Sequence, residues 1–146
     1  MRRLEELIDK LKSFENEIKN AIEKVLRDNE HIIVEMNTED QLYEQGIDRF
    51  GIQIAQYAPY SPITIEIKKL KRQPTGRVTL RDEGDFHASF YIEFTEDGFE
   101  IKASDYKADA LIKRYGEGIL GLTDENFKDL ATNYIAPAII NTFKKL

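Results

Sequence analysis

Leu80-Arg81-Asp82-Glu83-Gly84-Asp85-Phe86-His87-Ala88-Ser89-Phe90-Tyr91-Ile92-Glu93-Phe94 carries a charged glycine turn straight into the most regular alternation in the chain. From Phe86 to Phe94 every second residue (Phe86, Ala88, Phe90, Ile92, Phe94) is apolar, with His87, Ser89 and Glu93 between them, the period-two pattern of a half-buried strand. Tyr91 falls on the polar face, where its hydroxyl stays wet. Thr95-Glu96-Asp97-Gly98 then leads to a second run in which Phe99, Ile101 and Ala103 alternate. Asp-Gly between two such runs is the strongest short-range signal for a hairpin. The fold class follows: α+β, with a small antiparallel sheet around this central hairpin, packed by a long N-terminal helix and by C-terminal helices.

Outward from the hairpin, residues 2–27 place apolar side chains at Leu4, Leu7, Leu11, Phe14, Ile18, Ala21 and Val25, without Pro or Gly. That spacing, close to 3.5, predicts a helix of roughly 40 Å, which packs either along its own sheet or on a neighbouring subunit. The β-branched run Ile32-Ile33-Val34 favours a short strand over 31–36, although a helix continuing into the next segment also fits. Thr38 and Gln41 have capping-box spacing, so 39–45 reads as a short helix stopped by Gly46, followed by a turn at 48–51 and a short strand within 52–57. Ser61 as N-cap and Pro62 as first helical residue favour a helix over 63–70, although Ile63, Ile65 and Ile67 also alternate as in a strand. Its lysines would then occupy the end favoured by the helix dipole. Residues 73–76 read as a turn. Ser104 or Asp105 caps a helix that Gly116 stops, a glycine-rich connection spans 116–121, and Thr123 caps the last helix, which Pro137 forces to kink or restart.

With 146 residues the chain suits a single α+β domain over 1–146, read as the long amphipathic helix (1–28) and a sheet-and-helix core (29–146). No cysteine is present, which excludes disulfides and thiol chemistry. No stretch approaches the ~18 apolar residues of a membrane span, and no apolar signal core follows the N-terminal charges, so the expectation is a protein made in the cytoplasm and not embedded. A net charge of -6 argues against dedicated or sequence-specific nucleic-acid binding. The charge is uneven. Six of the 21 basic residues (Lys68, Lys69, Lys71, Arg72, Arg77, Arg81) crowd into 68–81 with no acid, leaving 15 against all 27 acids, a balance of -12. This cluster is either a solvated helix end and loop or a surface that meets an acidic partner or nearby nucleic acid. Tyr57 and Tyr60, in Tyr57-Ala58-Pro59-Tyr60, suit an interface or the edge of the core.

Catalytic constellations are not legible. His87 and Asp85 imitate an acid–base pair, but no nucleophile or second ligand is placed beside them, and a surface histidine is the simpler reading. Gly116-x-Gly118-x-x-Gly121 matches the dinucleotide fingerprint only in letters, since it follows a helix and not a strand. Asp105 and Asp109 are a helical pair of acids without metal-ligand spacing. The expectation is therefore no catalytic residue, no cofactor and no metal.

Three stretches, in order, resemble the virion-morphogenesis or tail-completion proteins of tailed bacteriophages and prophages. Gly51, then Tyr57-Ala58-Pro59-Tyr60-Ser61, then Thr64-Ile65-Glu66-Ile67-Lys68 are similar to the family's Gly-centred, aromatic-x-Pro and Thr-x-x-x-Lys segments. Residues 80–89, pivoting on Gly84, resemble its Leu-x-x-Thr-Gly-x-Leu-x-x-Ser pattern, with Glu83 in place of Thr and Phe86 in place of Leu. Tyr115-Gly116 and Gly121-Leu122-Thr123-Asp124-Glu125-Asn126 resemble its final helix start. The resemblance runs from about Gly46 to the end of the chain. It implies a non-enzymatic minor component of the virion at the head–tail junction or the tail end, working as a ring of identical copies beside other neck or tail proteins. Contact with packaged DNA would be incidental.

Overall fold

Phe90–Thr95 (β1) and Gly98–Ala103 (β2) pair antiparallel, with Phe90 opposite Ala103, Ile92 opposite Ile101 and Thr95 opposite Gly98. The computed structural model describes residues 2–145. The α+β class is as the sequence predicts: one two-stranded antiparallel sheet, a long N-terminal helix and C-terminal helices. Among the described residues no helix is long and apolar enough to cross a membrane. The residues fall into two compact units, the chain up to Glu30 together with that from Lys128 onward, and His31–Phe127.

In the first unit, α1 (Arg2–Asp28) is the predicted long helix. It runs alongside α7 (Ala136–Lys144), where the Phe14 and Phe143 rings meet edge to face at 4.9 Å. α7 continues the chain from α6 (Asp124–Leu130) through a π-helical turn, Ala131–Ile135. The wider turn falls just ahead of Pro137, which has no N–H to give and crowds the preceding turn, so the helix restarts as expected. Along α1, Leu26 is buried, whereas Leu4, Leu7, Ile8 and Leu11 remain 40 to 56% exposed.

In the His31–Phe127 unit the strand favoured over 31–36 is absent and the helical alternative holds: α2 (Glu30–Glu35) runs into a π-helical stretch, Met36–Gln45. β-branched content misled, because Ile33, Asn37 and Gln41, all fully buried, repeat every four residues along one helical face. The capping box is also overturned. Thr38 Oγ1 donates to the Val34 carbonyl one turn back, and Gln41 bonds elsewhere. Gly46 does end the helix, in the left-handed region at φ 65°, its N–H on the Leu42 carbonyl. Instead of a strand over 52–57 there is one bridge, Ile47 to Gln53, and a short 3-10 turn, Ile54–Gln56.

The helical reading holds for α3 (Pro62–Leu70), where Ser61 Oγ accepts the Thr64 N–H at 3.2 Å. The opening strand begins later than the alternation suggests. Gly84, at φ 93°, turns the chain into a short helix, α4 (Asp85–Ala88), and pairing starts only at Phe90. Phe86 and Phe90 stand four apart, a spacing that fits a strand and a helix equally, and their rings pack edge to face at 4.9 Å. Across the hairpin, Glu93 faces Glu100, and Lys102 relieves the repulsion by reaching Glu93 at 2.7 Å. α5 (Ala108–Tyr115) ends at Gly116 as predicted.

Candidate functional site

A buried polar frame organises the second unit. Asp48, fully buried, accepts the N–H groups of Phe50 and Ile52 on Oδ1, both at 3.0 Å, and the Tyr57 hydroxyl on Oδ2 at 2.8 Å. That bond is the main reason the Tyr57 hydroxyl is held above its ordinary pKa. Asn37 donates to the Ile119 carbonyl (3.0 Å) and accepts the Gly121 N–H (2.8 Å). Gln41 donates to the Gly121 carbonyl and accepts the Thr123 N–H, both at 2.9 Å. Arg49 N–H donates to the Gly118 carbonyl at 2.8 Å. The helix over 36–45 and the 48–51 turn thus hold the glycine connection by its backbone. Thr123, capping α6 through the Asn126 N–H at 3.1 Å, is fixed by the same frame. Of the motif residues of the resemblance, Gly51, Tyr57 and 121–126 belong to this frame or to its rim, and 58–61, 64–68 and 80–89 do not.

These groups bind one another and so are scaffold. A carboxylate at the head of an Asp-x-x-Gly turn is readable from sequence. The partners of Asn37 and Gln41, some eighty residues away, are not.

The basic segment is less free than its composition suggests. Lys68 is buried; its Nζ donates to the Arg81 carbonyl at 3.2 Å and lies 4.9 Å from the centre of the Tyr60 ring. Tyr60 is turned inward as well, its hydroxyl accepting the Thr79 N–H at 3.0 Å. Lys71 pairs with Asp82 at 2.7 Å, which holds the Asp82 carboxyl below its ordinary pKa and raises that of the ammonium. Arg77 and Arg81 both lie over the Tyr43 ring, and Arg81 reaches Glu39 at 3.2 Å. Lys69 and Arg72 stay at the surface, as do Ile63, Ile67 and Leu70 of the same segment. Tyr57 is half exposed.

His87 is not the surface residue expected. It is buried, its Nε2 lying 2.9 Å from the Thr79 carbonyl while Nδ1 has no partner among the described residues. Burial, reinforced by the nearby Arg81 charge, lowers its pKa to about 4 despite the bond to Thr79. Asp85 makes no hydrogen bond to it. The short α4 helix turns the histidine inward, a consequence that the strand reading could not anticipate. Among the described residues no three His, Asp or Glu side chains converge as a metal ion would require.

Two concavities among the described residues bear on these groups. A shallow one of about 180 Å³ lies beside Lys68, Lys107, Tyr115 and Gly84; its rim carries Asp82, Glu83 and Asp85, so its charges cancel. A larger groove, about 490 Å³, lies between the 48–51 turn and the start of α6, with Phe50, Asp40, Asp124 and Glu125 on its walls. Comparison with protein-family models, curated proteins and solved structures found no match to the chain.

Proposed function

We propose that the chain is a non-enzymatic structural protein of a tailed-phage particle, acting at the head–tail connector or neck or at the tail end, and assembling as an oligomeric ring that joins or completes the tail. In this reading it is made in the host cytoplasm and ends in the virion, touching copies of itself and adjacent neck or tail proteins. The observation that carries the reading is the apolar row Leu4, Leu7, Ile8 and Leu11, four large side chains left 40 to 56% exposed at one end of a 27-residue helix. Such rows are uncommon on the surface of a lone molecule and typical of assembling ones. The ordered motifs supply the family resemblance, and part of them, Gly51, Tyr57 and residues 121–126, meets in one buried frame. A second reading, a cytoplasmic regulatory module that binds an acidic ligand through residues 68–81, is less well supported, because five of its six basic side chains have partners within the molecule, Lys69 only an exposed one.

The experiment is mass measurement of the full chain in solution, together with assay of its incorporation into phage particles. The proposal expects a discrete multiple of the 17.0 kDa subunit and a fixed copy number per particle. Salt-sensitive capture of an acidic ligand by a monomer would favour the second reading.

A further inference from the structure

Within His31–Phe127, two surfaces that share no residue complement each other. On α3, Ile63, Ile67 and Leu70 stand at i, i+4 and i+7 and are 74, 47 and 85% exposed, far more than side chains of this size tolerate as a row. Two exposed cations belong to the same segment, Lys69 in the last turn of α3 and Arg72 just past it: Lys69 has only an exposed partner, Glu66 at 3.7 Å, and Arg72 makes no salt bridge among the described residues. The groove beside α6 has the opposite character. Asp40, Asp124 and Glu125 line it against one cation, Arg49, and none of the three acids makes a salt bridge among the described residues. Arg49 itself is engaged over the Phe50 ring at 4.9 Å, and Phe50, 64% exposed, gives the groove an apolar wall.

We infer that the α3 face of one copy docks into the α6 groove of the next, Ile63, Ile67 and Leu70 packing on Phe50 while Lys69 and Arg72 meet Asp124 and Glu125. The occupant is a second copy of this chain because the same molecule carries both halves of the match, apolar row to apolar wall and cation to acid. A contact between two different patches is heterologous and generates a ring when its rotation closes. The inference rests on the ring reading above and names the surfaces that would build it.

Charge reversal tests the contact. Lys69→Glu/Arg72→Glu and Asp124→Lys/Glu125→Lys should each weaken self-association about tenfold or more, since like charges then oppose across the contact, and an equimolar mixture of the two variants should restore it. The absence of cysteine allows a second measurement. Leu70→Cys mixed with Phe50→Cys should give a disulfide-linked dimer under mild oxidation, and neither variant alone should. All these positions are exposed, so circular dichroism should show unchanged folding. Assembly insensitive to both reversals, or Leu70→Cys linking to itself as readily as to Phe50→Cys, overturns the docking contact while the ring reading stands. A 17.0 kDa particle at every concentration removes both.

Discussion

His87 shares one proton with the Thr79 carbonyl and leaves Nδ1 dry, so a second proton would place a charge among the Phe86 and Phe90 rings and near Arg81. Its folded pKa, about 4, lies below the ordinary 6.5. A depressed pKa means that the unfolded chain binds the proton more readily. The resulting stability is fully present above pH 6.5 and is lost as pH falls towards 4, a change of roughly 3 kcal/mol. Denaturant melts across that range should show the slope, and His87→Gln, which can keep a bond to Thr79, should flatten it. Gly118 makes a second residue-scale test. A Cβ there would stand 2.9 Å from Asp48 Oδ2 and 3.0 Å from the Phe50 ring, so Gly118→Ala should cost about 1–3 kcal/mol in the same assay. Such close approach belongs to the folded backbone. Sequence shows the glycine; the carboxylate it touches lies seventy positions earlier.

Among the elements, those whose boundaries are set by local chemistry were legible. Ser61-Pro62 starts α3, Thr123 caps α6, Gly46 and Gly116 stop their helices, and the 95–98 turn closes the hairpin, each within a few residues of where the sequence predicts. Replacing Ser61 by Ala should therefore cost about 1 kcal/mol, the usual worth of an N-cap, read as a shift in the denaturation midpoint. Elements decided by distant partners were not legible. The 31–45 helix is held by Asn37 and Gln41 gripping residues 119–123, and that tertiary demand overrides the strand preference of Ile32-Ile33-Val34. The helical turn at 85–88 follows from the backbone that Gly84 permits, and Phe86 and Phe90 fit either period. The same ambiguity hid His87 in the core. As for the basic segment, nothing in its spacing told which cations would turn inward onto Tyr60 and Tyr43 and which would remain outside.

For the whole molecule, the proposed contact between copies draws on the exposed apolar rows on α1 and α3 and on the acids beside α6 that make no salt bridge among the described residues. The account predicts assembly that weakens with added salt, because the exposed charges that steer and register the contact are screened within about 10 Å at 0.1 M. The most direct test is native mass spectrometry of the full chain over a concentration series. The predicted result is one closed species at a fixed multiple of 17.0 kDa that persists on dilution until it dissociates to monomer. A single 17.0 kDa species at every concentration would contradict it.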